Sequence, residues 1–194
     1  AVAEDPFLVP LEEKQDLLMR TDAALSGRRE IVSRSAGIGL RREEQWMVTS
    51  DGGVTHQVLV RSGGHAEAIA SARGVVERRS HPNGLGGQFK AGGYEVVRGL
   101  ELESHAERVR DEAIALCHAD VCPDGVRTLV LGGAQLALQI HESVGHPLEL
   151  DRLLGCERDL AGGSFATTEQ LGHLRYGSEQ VSFVADSTVP GGLD

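Results

Sequence analysis

The chain has 194 residues, 40% hydrophobic and 25% charged, the composition of a globular protein with one large or two small domains. Its net charge of −10 argues against phosphate-backbone binding as the main activity, so no direct nucleic-acid contact is expected. No apolar run reaches membrane-spanning length and no signal peptide is visible, while Cys117, Cys122 and Cys156 are too few and too irregular for a disulfide framework; a reducing cytoplasm is expected, with no membrane partner.

Pro10 through Leu25 reads as a helix: Leu11, Leu17, Leu18 and Leu25 recur at roughly helical spacing, Glu12 and Glu13 suit the first turn, and Gly27 ends it. Arg28–Leu40 and Glu44–Thr49 read as strands. Ser50-Asp51-Gly52-Gly53 is a hairpin turn, and Val54–Arg61 returns with Val54, His56, Val58 and Val60 alternating. His65–Arg79 is ambiguous, because Ala66, Ala68, Ala70 and Ala72 favour a helix by propensity but alternate like a strand. Asn83–Gly93 reads as a glycine-rich loop, Tyr94–Val97 as a short strand and Leu102–His118 as a helix with Val109, Ala113 and Leu116 inward. Asp120–Gly125 is the expected domain boundary. Beyond it, Val126–Leu131 is a β-branched apolar run closed by Gly132-Gly133, as a buried strand and its exit turn would be. A polar, glycine-rich stretch from Gly155 to Gly177 and a strand at Val181–Ala185 follow. The fold class expected is α+β: a helix-flanked, twisted antiparallel sheet, followed by a strand–helix unit. The opening Ala1 and the final Gly191-Gly192-Leu193-Asp194 suggest a piece of a longer polypeptide.

The strand–helix unit carries His141-Glu142-Ser143-Val144-Gly145-His146. Two imidazoles flanking an acid suit a zinc hydrolase, with His141 and His146 as ligands and Glu142 as base on an activated water. Leu136, Ile140 and Val144, joined by Leu148, give the helix one apolar stripe. The spacing poses a problem. Histidines at i and i+4 lie about 40° apart around a regular helix, whereas those at i and i+5 lie about 140° apart and point away from each other. A shared ion needs either a π-bulge that absorbs the extra residue or a helix end that swings His146 back. Gly145 permits unusual backbone angles, and Pro147 should push His146 out of the α region and stop the helix there. The competing reading is two partly exposed histidines ending an ordinary helix.

Catalytic zinc needs three protein ligands, and the hexapeptide supplies two; Glu149, Asp151 and Cys156 are the local candidates for a third, against a plain reading of Glu149 and Asp151 as a solvated polar face. Gly84-Leu85-Gly86-Gly87 resembles the start of a phosphate-binding loop, but Phe89 replaces the third glycine, so a surface loop is expected. Cys117-His118 and Cys122 lack a second pair for a metal knuckle. His56, His65, His81, His105 and His173 have no partner in local reach.

With the motif after a glycine-turned strand and before Leu148-Glu149-Leu150-Asp151, the chain resembles the TldD/PmbA family of cytoplasmic metallopeptidases. Pro10-Leu11-Glu12-Glu13-Lys14, the meander around Asp51-Gly52-Gly53, Gly92-Gly93-Tyr94-Glu95 and Thr188-Val189-Pro190-Gly191 look like that family too, in a consistent order. The resemblance implies residues 1–122 as a middle-type α+β domain and 123–194 as the start of a metallopeptidase domain. It implies Zn2+ on His141 and His146, Glu142 as general base, and an extended or unfolded peptide as substrate. It also implies a homodimer, or a heterodimer with a related subunit that lacks the motif. The family's third ligand is a cysteine far beyond the motif, a position that none of Cys117, Cys122 and Cys156 occupies. Pro147 departs from the small residue often found there. The alternative is a non-catalytic peptide-binding or regulatory subunit of such a complex.

Overall fold

The computed structural model describes residues 2–84 and 86–193; Ala1, Leu85 and Asp194 lie outside them. The chain divides into two compact units, Ala1–Asp124 with Asp186–Asp194, and Gly125–Ala185. The architecture is α+β, an antiparallel sheet flanked by helices and then a helical segment.

In the first unit, α1 (Leu11–Leu25) leads into β1 (Ile31–Val48), which the Thr49–Gly53 turn joins to β2 (Val54–Ala72). The sheet continues with β3 (Val75–His81) and β4 (Gln88–Ala91), both paired to β2, while β1 holds the opposite edge. Two strands expected at 28–40 and 44–49 are thus one. Pairing runs unbroken from Ser33↔Ile69 to Val48↔Val54, and the charged run Arg41–Glu44 interrupts only the apolar pattern. Those side chains are solvated or near the surface, so polar residues there cost the ladder little. Gly63 allows β4 to close on β2: a Cβ there would sit 2.1 Å from the Gln88 carbonyl oxygen.

The alanine alternation resolves as strand, because Ala66, Ala68 and Ala70 all face α3 (Leu102–Leu116) and are completely buried. Small side chains let that helix lie close on the sheet. Leu102, Ala106, Val109, Ala113 and Cys117 complete the core with Leu25 of α1, each large aliphatic side chain contributing roughly 1.5–3 kcal/mol. Leu116, expected to face inward, is exposed instead.

Tyr94–Gly99 forms a helix, α2, where a strand was expected. Tyr94 and Val97, three apart, share one buried face and pack with Val9, which a strand's alternation would not permit. The Glu95 side chain secures the start of α2. It accepts N–H bonds from Gly93 (2.8 Å), Ala3 (3.1 Å) and Glu4 (3.0 Å), tying the chain's beginning to this helix. Burial opposes the Glu95 charge, but these amides outweigh it and hold the pKa at about 2.

The second unit holds α4 (Gly133–Ile140), a π turn (His141–Gly145), a 3-10 turn (His146–Leu148), α5 (Leu150–Leu153) and α6 (Arg158–Ala161). Val126–Leu131 and Val181–Ala185 pair with nothing among the described residues and form no strands. Val126 and Val130 stand in solvent, 105% and 89% exposed. A β-former becomes a strand only beside a neighbour that takes its backbone groups, and no described residue does so here.

Candidate metal centre

Gly132 opens α4, whose apolar stripe of Leu136 and Ile140 continues to Val144 in the π turn and is only partly covered. At His141 the helix changes its hydrogen-bonding ring. The His146 N–H donates to the His141 carbonyl, five residues back. This i→i+5 bonding places the two histidines one turn apart along one face, which a regular helix would prevent. Their ring centroids lie 4.3 Å apart, at 76°.

Of the two ways to absorb the extra residue, the structure uses the π-bulge. The expected stop at His146 does not occur. His146 stays helical, φ −56° and ψ −43°, despite the following proline, and Pro147 continues as the first residues of a 3-10 turn, where a missing N–H is tolerated. Gly145 is helical too, φ −57° and ψ −69°, so no left-handed conformation is used.

Pro147 leaves a carbonyl to be accounted for. A regular helix would return the residue-147 amide to the Ser143 carbonyl, and proline has no such amide. The Tyr176 hydroxyl donates there instead, at 3.0 Å. Tyr176 stacks on Phe165 with centroids 4.9 Å apart, and the neighbouring Ser164 hydroxyl donates to the Pro147 carbonyl at 2.5 Å. The glycine-rich stretch after the motif therefore folds back and secures the turn.

The ligand-type atoms of His141, Glu142 and His146 all lie within 4.8 Å of one another, the one such group of three among the described residues. His141 and Glu142 are open to solvent, their side chains 60% and 61% exposed, while His146 is half-buried at 31%. Glu149 places its Oε1 3.0 Å from His146 Nδ1. With Nδ1–H donating to that carboxylate, Nε2 keeps its lone pair for an ion.

Residues 4–116 match the PmbA/TldA metallopeptidase central domain, more than half of the chain. The chain belongs to the PmbA/TldA metallopeptidase family. The matched segment is the sheet unit, and the motif lies beyond it. Along the whole length, 96% of the chain is similar to a metalloprotease of Methanothermobacter thermautotrophicus, at 25% identity; the chain spans 38% of the length of that relative.

A metallopeptidase family implies a metal, and two imidazole nitrogens beside a carboxylate are a donor set that suits a borderline-soft divalent ion. Neither Asp151 nor Cys156 joins the cluster: the Asp151 carboxylate caps the Arg152 amide, and the Cys156 thiol is exposed. Glu149 reaches His146 from the side. Tyr176 is a supporting residue that sequence reading missed, since nothing local marks a hydroxyl 33 residues away. Four of the other histidines find partners through the fold. His56 bonds Glu44 at 2.9 Å and stacks on Trp46, His65 meets Ser35 at 3.3 Å, and His81 lies against His105 with its Nε2 on the Leu100 carbonyl. Cys117 is buried in the core, away from any knuckle.

Proposed function

We propose that this chain carries two ligands and the general base of a zinc-dependent peptidase acting on extended or unfolded peptides. The observation that supports it is the i→i+5 bond from His146 to His141, which turns two diverging imidazoles onto one face beside Glu142. His141 and His146 would hold the ion, with Glu149 fixing the His146 ring and its tautomer. Zinc, when bound, supplies Lewis acidity toward the scissile carbonyl and toward a water. Glu142 takes the proton from the attacking water and returns it to the leaving amine. Its carboxylate is exposed, so that a peptide can reach it. The third ligand would come from outside the described residues, as the resemblance to the TldD/PmbA proteins implies with its distant cysteine. The working form would be a dimer in the cytoplasm, a compartment that free Cys117, Cys122 and Cys156 suit. No helix among the described residues is long and apolar enough to cross a membrane.

The test uses the full-length protein. Wild type should bind about one zinc per chain and cleave casein in a zinc-dependent manner. Glu142→Gln should lower kcat by about 10³-fold with zinc content unchanged. Zinc lost along with activity would make Glu142 a ligand instead. Zinc binding without any cleavage of an unfolded substrate would favour the regulatory subunit.

A further inference from the structure

The sheet's helix-facing side outruns its helices. On β2, Ala66, Ala68 and Ala70 are buried under α3; on β1, Ile38 and Leu40 pack against the core. The same face then continues, by strict alternation, as Val60, Val58, His56 and Val54 opposite Arg42, Glu44, Trp46 and Val48. Among the described residues no helix covers it there. Trp46, Val48 and Val54 are 62%, 72% and 63% exposed, on a two-stranded arm that extends beyond β3 and β4. Among the described residues nothing pairs with the β1 edge along its 18 residues, a span of about 60 Å. A long bare edge joined to an apolar face is a surface built for another strand.

We propose that this edge is the interface between two copies of the chain, β1 pairing antiparallel with β1 of the second copy about a two-fold axis at Glu43. The proposal deepens the dimer reading above by naming its surface. Two-fold symmetry requires one residue to face itself, and Glu43 is the centre at which the flanking residues match. Arg42 then faces Glu44 of the second copy, and Glu44 its Arg42. Leu40 faces Trp46, and Ile38 faces Val48, each pair occurring twice. All of these lie on the helix-facing side, so every bare arm tip is laid beside the covered stretch of the other copy. On the opposite face the two Glu43 carboxylates meet, and each already has Arg41 at 3.0 Å and Arg61 at 3.3 Å within its own chain. Four guanidinium groups thus surround two carboxylates. Edge strands that avoid pairing carry charges of one sign; mixed signs that match their own reflection favour it.

The test is sedimentation of charge variants of the full-length protein. Wild type should be a dimer. R42E alone sets Glu against Glu, and E44R alone sets Arg against Arg, so each should self-associate at least about tenfold more weakly. Mixing R42E with E44R pairs Glu with Arg at both positions and should restore dimers, and the double variant R42E/E44R should dimerise like wild type. Unaltered dimers of both single variants would overturn this interface while leaving a dimer in place. A monomeric wild type would overturn the dimer reading itself, and zinc-dependent cleavage would be judged separately.

Discussion

The two units of this molecule keep their shapes by different means. In Ala1–Asp124, buried aliphatic side chains from α1, β2 and α3 form a continuous core, with Leu25, Leu102 and Val109 all at 0–1% exposure. In Gly125–Ala185, Ala166 is the one buried side chain among the described residues, and the motif turn is secured by hydrogen bonds donated by Tyr176 and Ser164 and by one that Glu149 accepts from His146. Stability therefore belongs to the first unit, and the reactive groups to the second. The contrast is physically sensible, since a packed core excludes water, while polar contacts leave Glu142 open to it.

The contrast breaks most readily under truncation. Leu102→Ala should cost about 2–5 kcal/mol, read by urea unfolding, because it leaves a cavity under the sheet. The same change at Leu160, 88% exposed, should cost under about 0.5 kcal/mol. Equal costs at both positions would mean that the second unit has a core after all. A sharper and smaller effect is expected at the turn. Tyr176→Phe removes the donor to the Ser143 carbonyl and should weaken zinc binding about tenfold with unfolding midpoints unchanged; unchanged affinity would show that the hydroxyl does not hold the turn. The smallest effect is a pH dependence of the first unit. Glu95 has a pKa of about 2 when folded, against an ordinary value of 4.5, so its contribution is present above 4.5 and is lost as pH falls toward 2. Between pH 5 and 3 the melting temperature should drop by a few degrees more in wild type than in Glu95→Gln, by about 2–4 °C. Parallel curves would remove Glu95 from that role.

Much of this was legible in the residues. The Asp51-Gly52-Gly53 turn, the alternation through Val54–Val60 and the helices at 11–25 and 102–116 follow from local chemistry. The i, i+5 histidine spacing even required an irregular turn, and a π-bulge was one of two ways to supply it. What escaped depended on distant groups. Tyr94-Glu95-Val96-Val97 has the composition of a strand, but Glu95 finds its donors 91 and 92 residues away, and they favour a helix N-terminus. Val126–Leu131 has the composition of a strand and finds no neighbour to pair with among the described residues. Pro147 reads locally as a terminator. Its effect is decided by a tyrosine that supplies what the proline lacks.

The bond from Tyr176 to Ser143 also bears on when the site comes into being. A helix ordinarily forms within about a microsecond from contacts four residues apart. The aligned pair of histidines is not such a local product, because its turn is completed across 33 residues by a loop that must first return and dock. Alignment of the two imidazoles is thereby postponed until the loop has docked. A nascent polypeptide would present two histidines and a glutamate in sequence well before it presented them in register, and the His-Glu-His cluster would be assembled among the last features of its unit.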